Sequence, residues 1–275
     1  MHPHRRSPRV STAWPPVEVR SVCETYLSIV DEELPGLVEG LYLHGSIGFG
    51  EWHHGRSDID FVAVTRARST DREVARLDEV HERLDAVFPT PSYDGFYVTW
   101  ADLAKPAEQC PDVPSIWAGD FSEAARPDGG PVTWHELAWH SVAVRGPDLA
   151  DVEIWTDVAA LRRYTYANLT DYWQPQVRQL ARFPEEAGRS EVMAWFVLGI
   201  PRLHHVLALN ALTSKGGAGE HALEVFGPEW RLLLAEALSY RATGERIGIL
   251  PDEELSAKTV AFATLVLDAA LAIEP

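Results

Sequence analysis

Near Asp151 the periodicity of the chain changes, and this break constrains the fold more than any other feature. Before it, short apolar segments alternate with amphipathic ones. Pro15 and Pro16 open a helical stretch to about Leu34, with Val19, Val22, Tyr26, Ile29 and Val30 as its apolar stripe. Leu41-Tyr42-Leu43 reads as a short strand running into Gly45-Ser46. Asp58 to Val64 reads as a β-branched strand with an acidic start, and Tyr93 to Trp100 as a third strand. Between them Asp71 to Val87 has the charge and period of an amphipathic helix. Pro106 to Pro131 reads as a long loop, and Val142 to Pro147 as a last strand with a turn. After the break, helical periodicity covers 156–182, 189–213, 228–243 and 253–273, interrupted at Pro184, Gly216-Gly217, Gly227-Pro228 and Pro251. The expectation is an α+β domain over 15–150 followed by an all-α domain over 151–275, with residues 1–14 disordered.

A chain of 275 residues buries enough surface to need neither a disulfide nor a structural metal. Cys23 and Cys110 stand far apart, in no ligand-like spacing, and read as free thiols of a reducing compartment. Lys and Arg number 24 against 41 Asp and Glu, a net charge of −17. Such a balance argues against a protein that coats nucleic acid and favours a cationic or neutral partner. The basic start, Met1 to Arg9, has no apolar run behind it. The best apolar stretch, Thr259 to Ile273, is short and interrupted by Asp268, so no membrane partner and a cytoplasmic location are expected. Neighbouring histidines such as His53-His54 and His204-His205 point apart on a helix or strand and make poor chelates.

The chemistry lies in Leu41 to Val64, LYLHGSIGFGEWHHGRSDIDFVAV. A strand that ends in Gly45-Ser46 and enters a short helix offers backbone N–H groups and a hydroxyl to phosphate oxygens. Asp58 and Asp60 follow, two apart, and so project from one face of a strand. Two carboxylates side by side repel unless a cation lies between them. Hard oxygen ligands on a rigid strand suit Mg²⁺, which takes phosphate oxygens as further ligands. A phosphate cradle beside a Mg²⁺ site is equipment for phosphoryl or nucleotidyl transfer.

Gly45-Ser46, then eleven residues, then Asp58-x-Asp60 in an apolar strand resembles the signature of the DNA polymerase β-like nucleotidyltransferase superfamily. His140 to Pro147 and the Arg202…Lys215 pair, thirteen residues apart, are similar to segments of aminoglycoside adenylyltransferases of the streptomycin/spectinomycin (3″)(9) type. The resemblance implies a mixed β-sheet bearing Asp58, Asp60 and a third carboxylate, Asp94, which serves as metal ligand or general base. It implies two Mg²⁺ ions and ATP as co-substrate, with Gly45, Ser46 and Ser57 at the nucleotide. Arg202 and Lys215 would hold the triphosphate, and Tyr240 would touch the base. Asp171 and Trp173 are the acceptor-side candidates. The implied activity is transfer of AMP from ATP to a hydroxyl of an aminoglycoside or aminocyclitol of the spectinomycin or streptomycin class. One alternative is the same chemistry on another small hydroxyl compound, with no resistance role. Another is an antitoxin-like regulatory nucleotidyltransferase; against it, the Arg-x4–6-His spacing of a fused toxin occurs only at Arg76 to His81, outside the helical half.

Overall fold

The computed structural model describes residues 15–274; the disorder expected for residues 1–14 falls outside them. By internal contacts the chain divides into two compact units. One runs to Asp128 and takes up again at Glu136–Ile154; the other comprises Gly129–His135 and everything from Trp155.

In the first unit, α1 (Val17–Glu33) buries the predicted stripe together with Cys23. β1 (Val38–Leu43), a short helix α2 (Gly45–Gly48) and β2 (Ile59–Thr65) follow. α3 (Asp71–Val87) opens on a capping box: Thr70 Oγ accepts the Glu73 N–H, and the Glu73 carboxylate accepts the Thr70 N–H. Then come β3 (Tyr93–Thr99), α4 (Trp100–Leu103), β4 (Val113–Trp117), β5 (Asp120–Ala125), α5 (Pro131–Trp139) and β6 (Val142–Arg145). The boundary between the units falls within α5. The sheet order is β5-β4-β3-β2-β1-β6, with β2 and β3 parallel and the other neighbours antiparallel. α3 makes the crossover that a parallel pair requires. It packs with α1, and their apolar faces form one core with Phe61, Tyr93 and Tyr97 of the sheet. Polar groups in this core pair with one another: the Tyr26 and Tyr97 hydroxyls are 2.9 Å apart, and His81 Nε2 lies 2.8 Å from the Tyr97 hydroxyl; the buried Tyr93 hydroxyl has no hydrogen-bond partner in the protein. Burial pushes the His81 pKa down to about 3, so the ring is neutral. Cys23 and Cys110 are buried free thiols, and burial raises Cys23 to about 12, which leaves it unreactive.

The loop expected over 106–131 instead holds the β4–β5 hairpin. Pro114 hid it, because proline argues against a strand; here it falls at a register shift in the pairing with β5. The turn, Ala118-Gly119, has φ of +51° and +83°. Glycine is a turn signal in that conformation, but alanine is not.

The second unit contains α6 (Val158–Asn168), a π-helical turn (Leu169–Trp173), α7 (Gln174–Arg182), α8 (Ser190–Leu209), α9 (Lys215–Phe226), α10 (Arg231–Thr243) and α11 (Asp252–Leu271). Pro175 accounts for the π turn: it has no N–H for the carbonyl four residues back, and its ring crowds that carbonyl. α8 is long and apolar enough, by length and composition, to cross a bilayer. It is nevertheless the central core helix, packed against α6, α9, α10 and α11 with ten residues buried. α9 was not expected, since Gly216, Gly217 and Gly219 weaken a helix. Ser214 caps its first turn by accepting the Gly217 N–H, and Gly219 lets Leu198 and Leu238 approach within 3.3–3.4 Å of where a Cβ would stand. The adjacent histidines, expected to point apart, both pack against His221, with ring centroids 5.1 Å (His204) and 4.9 Å (His205) from it; their hydrogen bonds differ, His204 Nδ1 lying 2.9 Å from His221 Nε2 and His205 Nδ1 meeting the Ala211 carbonyl at 2.8 Å.

Candidate functional site

β2 and β3 run parallel, so both begin at the same edge of the sheet. Asp60 and Asp94 are direct register partners there, and two such neighbours share a face. Asp58 precedes β2 by one residue and is exposed; Asp94 is buried. β1 ends beside them and delivers His44 and Gly45. His44 N–H donates to the Asp60 carbonyl at 3.0 Å. Gly45 has φ +54°, and a Cβ built there would stand 2.1 Å from Asp60 Oδ2. The backbone thus lies directly against that carboxylate, an approach that only glycine permits.

Each group is held from elsewhere in the fold. Asp94 Oδ1 accepts the Ser92 hydroxyl at 2.6 Å and the Ala118 N–H of the hairpin turn at 2.9 Å. Ser57 Oγ accepts the His53 N–H at 3.2 Å and closes the loop before Asp58, while the Trp52 indole donates to the Asp58 carbonyl at 3.2 Å. Gly45 N–H, expected to face phosphate, donates instead to Glu136 Oε2 at 3.2 Å. The Ser46 hydroxyl is buried and has no hydrogen-bond partner in the protein.

Burial pushes the Asp60 pKa up to about 6; His44 opposes the shift, and the negative charges of Glu136, Asp58 and Asp94 reinforce it. Burial alone would lower His44, but the hydrogen bond and charge of Glu136, with Asp60 and Asp128 behind it, outweigh burial and raise its pKa. Among the described residues, no group of three or more His, Cys, Asp or Glu side chains is gathered closely enough to hold an ion unaided. Asp60, a carboxylate that burial leaves short of counter-charge, and the unpartnered Ser46 hydroxyl fit a dication carrying phosphate.

A cavity of about 670 Å³ opens beside the carboxylates. It is lined by Asp58 and Asp94, by Asp78, Glu82 and Asp85 of α3, and by Trp117, which is 61% exposed; Arg56 is the cationic residue of the lining. An acidic wall with an open aromatic ring suits a cationic, ring-bearing molecule.

The structure therefore brings Gly45, Ser46, Ser57, Asp58, Asp60 and Asp94 together in the first unit. Arg202, Lys215 and Tyr240 lie in the second, on α8, at the first position of α9 and on α10, each half-buried. Asp171 is exposed on the π turn. Trp173 is 6% exposed, with its ring centroid 4.5 Å from that of Trp195 and its edge against Gly199, so the ring belongs to the core. The sequence reading missed His44, Ser92, Trp117, Ala118 and Glu136. His44 directly precedes Gly45 and could have been noticed. Nothing local marks Glu136, which is separated from His44 by 92 positions.

Residues 23–94 match the family model of the nucleotidyltransferase domain. No curated protein matches the chain. Among solved structures, it is similar to the spectinomycin adenyltransferase AAD(9) from Enterococcus faecialis, crystallised with ATP and spectinomycin. The TM-score is 0.63 at 14% identity, over 90% of this chain and 98% of that one. At that identity the likeness speaks for the fold, and the domain match falls on the segment that holds the Gly45-Ser46 turn and all three carboxylates. The chain thus carries a nucleotidyltransferase domain, set within a fold that it shares with an adenyltransferase.

Proposed function

We propose that the protein is a Mg²⁺-dependent adenylyltransferase that moves AMP from ATP to a hydroxyl of a cationic aminoglycoside or aminocyclitol of the spectinomycin or streptomycin class. The observation that carries the reading is the register pairing of Asp60 with Asp94 at a strand edge that also presents Gly45 and the unpartnered Ser46 hydroxyl. Asp58 and Asp60 would hold the metal, which when bound supplies positive charge to the phosphate oxygens and the departing pyrophosphate. The Ser46 hydroxyl donates to a phosphate oxygen. Arg202 and Lys215 of the second unit hold the triphosphate, and Tyr240 contacts the base. The ATP bound to the structural neighbour supports this nucleotide.

The acceptor occupies the cavity beside Asp94, where Asp78, Glu82 and Asp85 receive its ammonium groups and Trp117 covers a ring face. Asp171 remains an acceptor-side candidate; Trp173, with its ring in the core, does not. The acceptor oxygen attacks the α-phosphorus in line, the bond to pyrophosphate breaks, and the hydroxyl proton departs. Ser92 and Ala118 engage Asp94 through Oδ1, so Oδ2 is the atom left to take that proton or to meet the metal. Asp94→Asn distinguishes the two roles. As a base, it loses kcat by about 10²- to 10⁴-fold with ATP affinity unchanged. As a ligand, it loses Mg–ATP binding in a calorimetric titration. Wild-type values of both would remove Asp94 from the site.

A further inference from the structure

Glu136 is a buried carboxylate for which the proposed chemistry has no use. It is 4% exposed and lies on α5, 92 positions from His44. Its Oε2 makes two bonds at once, one with His44 Nδ1 at 2.8 Å and one from the Gly45 N–H at 3.2 Å. A single oxygen therefore grips both residues at the turn from β1 into α2. On its other side, Gly45 rests against the Asp60 carboxylate, 2.1 Å from where a Cβ would stand. The turn is thus fixed between two carboxylates: one that would bind metal, and one that holds backbone and ring. Burying another carboxylate near Asp58, Asp60 and Asp94 is costly. A glutamine would satisfy the Gly45 N–H without that cost; the carboxylate charge lies 2.8 Å from the His44 ring nitrogen.

We propose that Glu136, acting through His44 and Gly45, is a positioning residue for the metal–nucleotide site. It sets the turn that presents Ser46 to phosphate and keeps the backbone seated on Asp60. It touches neither the acceptor nor the reacting atoms. This inference rests on reading the site as one for adenylyl transfer.

The test is calorimetric titration of Mg–ATP into the wild-type protein and Glu136→Gln, with thermal unfolding of both in the absence of nucleotide and metal. Groups that orient metal ligands typically contribute about 10- to 100-fold to affinity. Glu136→Gln is expected to bind Mg–ATP weaker by that factor while its Tm stays within a few degrees of wild type. If the variant does not fold, His44→Gln, which keeps a side-chain N–H for Glu136, takes its place with the same expected outcome. Equal affinities for wild type and variant would overturn the positioning role. So would an affinity loss accompanied by a large fall in Tm, which would make Glu136 a structural residue. A wild-type protein that binds no Mg–ATP would overturn the adenylyl-transfer reading itself, a result distinct from either.

Discussion

Asp60→Asn is expected to abolish AMP transfer and to stabilise the protein in the same step. The activity loss follows from the site: Asp60 is the carboxylate in register with Asp94 and against Gly45, and it has the charge that a dication would neutralise. Removing one such electrostatic group at a reacting centre costs on the order of 10³-fold in kcat. The stability gain follows from burial, which raises the Asp60 pKa from 3.8 to about 6. The folded protein then binds this proton more tightly than the unfolded chain does. The ionised carboxylate opposes folding by about 3 kcal/mol at pH 7, an opposition that disappears as pH falls through 6 towards 4. Asparagine carries no such charge. Thermal unfolding of the metal-free proteins should show the variant more stable by a few degrees at pH 7 and the difference closed near pH 4. A variant less stable than wild type at pH 7 would mean that the carboxylate serves the fold, not the ligand.

Gly45→Ala is expected to cost both activity and stability. A left-handed φ of +54° costs a side-chain-bearing residue roughly 1–2 kcal/mol. The larger effect is steric: the new methyl would stand 2.1 Å from Asp60 Oδ2, so the carboxylate or the turn must move. Because His44 N–H also donates to the Asp60 carbonyl, the displacement reaches the start of β2. A shift of this size at a positioned group costs about 10²-fold in turnover. Gly50→Ala is the matched control: its φ is +74°, yet nothing lies within 4 Å of its Cβ position. It should lose similar stability and keep turnover near wild type. Equal activity losses in the two variants would show that backbone strain, and not the contact with Asp60, governs the site.

What the sequence made legible was local. Gly45-Ser46 and Asp58-x-Asp60 lie on one continuous strand–turn–strand segment, where periodicity and spacing are enough to place them. Asp94 was found through the resemblance, which implies a third carboxylate on a neighbouring strand, and a strand begins there. The supports of these residues were hidden, since they arrive from distant positions. Glu136 comes from a helix past the hairpin, and Ala118 from a turn whose positive φ alanine does not announce. Trp117 was hidden with that hairpin, behind Pro114. Trp173, beside Asp171, was the acceptor-side candidate that the resemblance implied. Available and buried rings have the same sequence signature; only the packing on Trp195 and Gly199 separates them. α9 was passed over for its glycines, whose close packing is a tertiary effect that no local propensity reports.

Pyrophosphate release from ATP, measured with and without Mg²⁺ across spectinomycin, streptomycin and other aminoglycosides, separates adenylyl transfer from its alternatives. Adenylyl transfer gives release that requires both Mg²⁺ and one of these acceptors, with AMP joined to the acceptor in equal amount. Release that no acceptor stimulates, together with no binding of Mg–ATP, would contradict it.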